Sequence, residues 1–292
     1  MPDEDVRLKL LENWLDQQLP GLFAKQGWGA VPAATLTSAS SDASFRRYFR
    51  WQGAGRSLIV MDAPPPQEDC APFVKVAHLL AEARLNVPQI LAADLERGFL
   101  LLNDLGRQTY LDVINEGNAD QLFADALQAL LAFQQLPMTT PLPSYDDALL
   151  RRELQLFPEW YVQRHLGVEF SEQQQAMWQR ASQLLIDSAL AQPKVLVHRD
   201  YMPRNLMVLR QRGDTPATQL GVLDFQDALH GPITYDIASL MRDAFHSWDE
   251  DFVIDVTVRY WEQARKLGLM DFEDWHGDFG AFYRAVEWMG LQ

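Results

Sequence analysis

Val197-His198-Arg199-Asp200-Tyr201-Met202-Pro203-Arg204-Asn205, followed at a short distance by Leu220-Gly221-Val222-Leu223-Asp224-Phe225, decides how this chain is read. Short apolar runs, Val195 to Val197, Leu206 to Leu209 and Leu220 to Leu223, bracket it and are expected as strands. Asp200, Asn205 and Asp224 therefore stand at strand ends. Phosphoryl transfer needs such an array: one carboxylate orients and deprotonates the attacking hydroxyl, while an Asn and a second carboxylate hold the Mg²⁺ that binds nucleotide phosphates.

Each residue also has a plainer reading. A loop Asp is commonly a solvated or capping residue, and an Asn at a strand start is commonly a turn residue. The His-Arg-Asp spacing and the flanking strands favour Asp200 as catalytic, with Asn205 and Asp224 as hard-oxygen metal ligands. A carboxylate that ends a buried strand is costly unless paired or metal-bound, which supports Asp224. Asp227 leaves three readings open: a metal contact, a substrate contact, or ordering of its loop. His198 reads as a scaffold residue. Asp236 reads as the N-cap of a helix over 235–246, with a further role in bracing the catalytic loop through Arg199 or Arg242.

The bulk properties bound the alternatives. The 292 residues are 48% hydrophobic, enough for one large or two medium cores. The net charge of −15 argues against nucleic acid and against an anionic membrane surface as partner. Cys70 is the one cysteine, so no disulfide or cysteine metal cage forms within the chain. The acidic start lacks a signal-peptide layout and no apolar run approaches a membrane span, so a soluble, cytoplasmic protein is expected, working as a monomer. The apolar helical pattern reaches Gln292 without a glycine cap beyond it, so the chain is expected to continue.

The order of elements predicts an α+β protein in two parts, 1–105 and 106–292. The first is sheet-rich: a helix over 4–19 stopped by Pro20-Gly21, strands at 34–37, 45–51 and 57–61, a helix over 67–84, and strands at 90–91 and 98–102. A polar hinge, Asn103 to Gly106, leads into the second. There helices are expected over 108–116, 119–135, 146–166, 172–191, 235–246, 249–267 and 277–292, with the small strands inserted.

The small and hydroxyl residues Ser41, Asp42, Ala43 and Ser44 suit a loop over phosphate oxygens. Arg46, Arg47 and Arg50 follow, either as an exposed basic face or as phosphate contacts. Asn103 and Leu105 flank the place where backbone groups would read an adenine edge. Trp160 and Tyr161, with Glu153 and Glu159, suit a sugar through ring stacking and hydroxyl hydrogen bonds, or else core packing. Glu287 and Trp288 carry the same two readings.

Together Val197 to Asn205 and Leu223 to Asp227 resemble the aminoglycoside phosphotransferase and choline kinase family, over most of the chain from about residue 30. That resemblance implies a two-lobed protein-kinase-like fold, ATP and Mg²⁺ as cofactors, and ATP between the lobes. It assigns Asp200 as the catalytic Asp, and Asn205 and Asp224 as metal ligands. Three runs, Ser41 to Tyr48, Met61 to Pro65 and Gly231 to Leu240, look closest to the branch that phosphorylates the C1 hydroxyl of N-acetylmuramate and N-acetylglucosamine in bacterial cell-wall recycling. An amino sugar is thus the expected acceptor, with Arg204, Asp227, Glu159 and Trp160 as candidate contacts. Arg204 or Arg151-Arg152 would meet an anionic sugar. Other acceptors, an aminoglycoside or a choline-like alcohol, stay open, as does a nucleotide-binding module without catalysis. Two departures stand out. The 38–44 segment replaces a glycine-rich loop, and Leu58-Ile59-Val60-Met61-Asp62 lacks the phosphate-binding Lys, for which Arg46, Arg47 or Arg50 is the expected substitute.

Overall fold

The structure, a computed structural model, describes residues 5–41, 45–209, 220–270 and 278–292. The chain divides into two compact units, Met1–Arg107 with Gly221–Gln226, and Gln108–Leu220 with Asp227–Gln292.

The first unit opens with helix α1, Val6–Lys25. Asp5 starts it by accepting the Leu8 N–H at 3.0 Å. The helix runs through Pro20, where a stop was expected. A proline forfeits one backbone bond and strains the preceding turn, at a cost of about 3 kcal/mol. Leu22 and Phe23 beyond it are buried with Leu11, Trp14, Leu15 and Leu19, and burying two such side chains returns about 1.5–3 kcal/mol each. Burial therefore wins, and the helix ends five residues later.

Strands β1 (Thr35–Ser41), β2 (Arg47–Gly53), β3 (Arg56–Asp62), β4 (Ile90–Asp94) and β5 (Phe99–Asn103) form one sheet in the order β1-β2-β3-β5-β4. All adjacent pairs are antiparallel. Alternation along the strands sends Trp51, Leu58, Val60, Phe99 and Leu101 to the face that α1 covers. Gly98, at φ 74°, closes the β3–β5 side: its carbonyl accepts the Ala63 N–H at 2.8 Å, and any side chain there would strike the Ala63 carbonyl. Helix α2, Ala71–Glu82, begins four residues later than expected. Gly221–Gln226, expected within the second part, packs with this unit: the Val222 N–H donates to the Asn86 carbonyl at 2.8 Å, and the Phe225 ring lies 4.9 Å from Phe73.

The second unit is helical: α3 (Tyr110–Val113), α4 (Ala119–Gln134), α5 (Asp147–Leu154), a π-helix (Phe157–His165), α6 (Glu172–Leu190), α7 (Tyr235–Met241), α8 (Glu250–Lys266) and α9 (Phe279–Met289). Its strands are β6 (Lys194–Val197), β7 (Leu206–Val208) and β9 (Leu229–Pro232), with β8 (Leu220–Val222) at the unit boundary. The single helix expected over 146–166 splits after Leu154. Pro158 has no N–H to donate and its ring opposes the carbonyl four residues back, so the chain widens into the π-helix. Helix α7 stops at Met241, short of the expected His246. The Asp243 carboxylate takes the N–H groups of Phe245 at 2.5 Å and His246 at 2.9 Å, a local turn that competes with helix.

Strand β9 was not expected. It pairs antiparallel with β6, Leu196 opposite His230. The pairing is buried, and the His230 carbonyl and N–H also bond Tyr145 and Pro143, each at 2.8 Å. The core is apolar with a few satisfied polar groups. The Tyr201 hydroxyl reaches the Ala126 carbonyl at 2.7 Å, and the Tyr260 hydroxyl reaches Gln134 Oε1 at 2.6 Å. No helix among the described residues is long and apolar enough to cross a membrane.

Candidate active site

Strand β6 is buried from Val195 and delivers the chain to His198, itself 1% exposed. The imidazole packs edge-on against Phe133 and Tyr201, at 6.3 and 5.5 Å, as a scaffold histidine should. Arg199 then takes φ 80°, a left-handed conformation uncommon outside glycine.

Three contacts hold Arg199 there. Asp236, on the first turn of α7, accepts the His198 N–H at 2.8 Å and the Arg199 N–H at 3.0 Å. The Ser239 hydroxyl reaches the Arg199 carbonyl at 3.4 Å. The Arg199 guanidinium pairs with Glu153 of α5, whose carboxylate also accepts the Tyr145 hydroxyl. Tyr145 in turn meets the Tyr235 ring at 5.4 Å. This corrects one expectation and bears out another. Asp236 is not an N-cap, since Thr234 holds that position, but it braces the loop through Arg199, by the backbone N–H. Arg242 serves Glu287 at 2.7 Å and Glu250 at 3.0 Å.

Asp236 is wholly buried. Burial pushes its carboxyl up to about 7, against the lowering effect of the two N–H donors and with a smaller upward push from the Asp200 charge.

Asp200 and Asn205 are brought together by a tight turn. The Asp200 carbonyl accepts the Met202 N–H at 3.0 Å and Asn205 Nδ2 at 2.9 Å. The Asn205 N–H closes onto the Met202 carbonyl at 2.9 Å. With its amide nitrogen committed, Asn205 has its oxygen as the atom suited to a hard cation. Asp200 is half-buried, Asn205 buried.

Asp224 follows β8 with φ 63°, like Arg199 a non-glycine residue in the left-handed region. Gln226 Nε2 donates to its Oδ1 at 2.8 Å. Asp227 is exposed. Among the described residues no group of three or more His, Cys, Asp or Glu could hold a metal. Mg²⁺ is commonly held by one or two protein oxygens, with phosphate and water supplying the rest, so it needs no such cluster.

Of the nucleotide candidates, Asp42, Ala43 and Ser44 lie outside the described residues. Ser41 pairs with Arg47 in the β1–β2 register. All three candidate arginines have carboxylate partners. Arg46 meets Glu68 at 2.9 Å. Arg47 pairs with Asp5 and, at 2.5 Å, with Asp62. Arg50 meets Asp104 at 2.7 Å and the Gly106 carbonyl at 2.6 Å. Asp62, in the strand that lacks the expected Lys, is fully buried and also takes Arg7 at 2.6 Å. Burial would raise the Asp104 carboxyl, but Arg50, Ser57 and the Gly106 N–H together hold it below the usual range. Asn103 Oδ1 accepts the Gln89 N–H at 2.6 Å, so this side chain serves the sheet, and Leu105 beyond it is half-buried.

On the acceptor side, Glu159 and Trp160 stand exposed on the π-helix. Trp160 is 54% exposed, which removes the core-packing reading, and the Arg164 guanidinium lies 3.8 Å above its ring. Arg204 is exposed, its guanidinium 5.3 Å from the Phe245 ring centre. Glu153, first read as a sugar contact, is spent on Arg199 and Tyr145; a partner 46 residues away leaves no local signal.

A curated relative from Pseudomonas putida, named N-acetylmuramate/N-acetylglucosamine kinase, is 64% identical over 292 residues, spanning 100% of this chain and 83% of that protein. A relative of the same name from Pseudomonas aeruginosa is 59% identical over 99% of this chain and 82% of that one. The solved structure of ADP-bound aminoglycoside phosphotransferase APH(2'')-Ib covers 93% of this chain and 97% of its own with a TM-score of 0.55. At 15% identity it shows the fold alone. The model of the phosphotransferase enzyme family matches residues 35–275. With that match and these relatives, the chain belongs to the phosphotransferase enzyme family.

Proposed function

We propose that this chain is an ATP- and Mg²⁺-dependent kinase. It transfers the γ-phosphoryl group to the C1 hydroxyl of N-acetylmuramate and N-acetylglucosamine, in the cytoplasm, as a step of peptidoglycan recycling. The observation that carries the reading is the turn joining Asp200 to Asn205 through the Asp200 carbonyl, on a loop braced from beneath by Asp236. The names of the two Pseudomonas relatives support the acceptor.

Asp200 accepts the proton of the sugar hydroxyl as the phosphoryl group leaves ADP. An anomeric hydroxyl is more acidic than an ordinary alcohol, which eases its deprotonation by a carboxylate. Asn205 and Asp224 would hold Mg²⁺, which neutralises phosphate charge. Most of the rate gain comes from holding the hydroxyl in line with the phosphorus, since the transition state is loose. The backbone around the 103–105 segment would read the adenine edge, and Arg46 would meet the phosphates. The protein works as a monomer without nucleic acid or membrane as partner.

The test is a product assay with ATP over N-acetylmuramate, N-acetylglucosamine, an aminoglycoside and choline, read by phosphorus NMR and mass spectrometry. A glycosidic phosphate doublet from the two amino sugars alone is expected. Phosphate at C6, or transfer to the aminoglycoside or choline in preference, would overturn the reading.

A further inference from the structure

Two acceptors that differ by a charge pose a recognition problem. N-acetylmuramate carries a lactyl carboxylate at O3 that N-acetylglucosamine lacks, and the chain's net charge of −15 repels it. A local cation beside the catalytic turn must offset that repulsion. Arg199 is committed to Glu153, and Arg151 to Asp147 at 3.0 Å. Arg204 differs. It sits in the short 3₁₀ turn Pro203–Asn205, one residue before the Asn that bonds the Asp200 carbonyl, and it is exposed. Among the described residues it has no carboxylate partner; its neighbour is the face of Phe245, itself 53% exposed.

Resting on the function proposed above, we propose that Arg204, steadied by Phe245, is the specificity-determining residue that binds the lactyl carboxylate and admits the anionic sugar. A guanidinium stacked over a ring keeps its planar fork of N–H donors available for a two-point bond to a carboxylate. The stacking also reduces the rotamer freedom that a free arginine would lose on binding. Arg204 touches the substituent at O3, not the reacting hydroxyl, so it sets preference between acceptors rather than chemistry.

The experiment measures kcat/KM for both sugars and takes their ratio, muramate over glucosamine. Arg204→Gln should lower the ratio by about 10- to 100-fold, the range for losing a charge-assisted hydrogen-bond pair. Arg204→Lys should lie between that variant and the unmutated protein, because charge survives and the fork does not. Raising the ionic strength should raise the ratio of Arg204→Gln, where only the repulsion is left to screen, and raise it less or lower it in the unmutated protein, where the ion pair is screened as well. An unchanged ratio in Arg204→Gln overturns the assignment, whether both activities fall together or neither does. If the unmutated protein phosphorylates neither sugar, the proposed function itself fails, and that outcome is visible before any variant is made.

Discussion

Asp236 accepts the backbone N–H of His198 at 2.8 Å while wholly buried within the second unit. A second bond from the Arg199 N–H, at 3.0 Å, fixes the peptide that leads into Asp200. A buried carboxylate is a costly anchor, tolerable because both oxygens receive a donor. It sets the direction of the loop that carries Asp200.

Asp236→Asn should weaken this anchor. The amide has one acceptor oxygen and turns an N–H₂ toward a second N–H, so about 1–3 kcal/mol of stability is lost, and kcat falls about tenfold or more as Asp200 shifts. The pH dependence gives the sharper reading. The folded carboxyl titrates at about 7 and the unfolded one near 3.8. The folded state thus binds the extra proton between those values, so stability from this group is full below the lower one and declines as pH rises to the upper. Urea unfolding between pH 5 and 8 should show that decline in the parent and a flatter profile in the variant. Equal slopes would rule out Asp236 as the titrating group.

Glu153→Gln should lower kcat with little change in the KM for ATP. The substitution keeps the shape but removes the charge that holds the Arg199 guanidinium, so the left-handed residue before Asp200 loosens. About a tenfold loss is expected for one weakened charge-assisted contact. Glu153→Asp, which restores the charge at shorter reach, should recover part of the rate. An unchanged kcat in Glu153→Gln would show that the Arg199 side chain does not position the base.

The placement of His198 to Asn205 and of Asp224 at strand ends was legible, because they stand between apolar runs that form the short strands β6, β7 and β8. Strand β9 was not, since Leu229-His230-Gly231-Pro232 shows no alternation and contains two residues that disfavour strands. The continuation of α1 past Pro20 depends on a core that only the folded chain supplies. The Glu153–Arg199 and Asp62–Arg7 pairs join residues 46 and 55 positions apart, beyond any local pattern. The same holds for the Asp243 turn that ends α7, because an Asp after a helical run also reads as more helix.

Asp62→Ala should be among the most destabilising single changes in the first unit. It leaves Arg7 and Arg47 without the buried carboxylate they share, at 2.6 and 2.5 Å. Removing one partner of such a site costs about 3–5 kcal/mol. Arg47→Ala should cost less, because Arg7 remains. Denaturant midpoints measured on both variants check the order, and a reversed order would mean that Asp62 is not the hub.

Arg46 and Arg47 separate the two roles an arginine can have beside the 41–44 segment. Arg47 is tied to two carboxylates, Arg46 to Glu68 at 2.9 Å. Arg46→Ala should therefore raise the KM for ATP by about tenfold, as for one lost phosphate contact, whereas Arg47→Ala should act mainly on stability. Unchanged ATP kinetics in Arg46→Ala, Arg47→Ala and Arg50→Ala alike would remove arginine as the replacement for the missing lysine.

The most direct test of Asp200 as the base in phosphoryl transfer from ATP is a single-turnover measurement with radiolabelled ATP and N-acetylglucosamine on the protein and on Asp200→Asn, with nucleotide binding titrated in parallel. The expected result is a fall in the transfer rate of about 10²–10⁴-fold, the usual worth of a positioned general base, with nucleotide affinity largely kept. Transfer at the parent rate in Asp200→Asn would contradict the assignment.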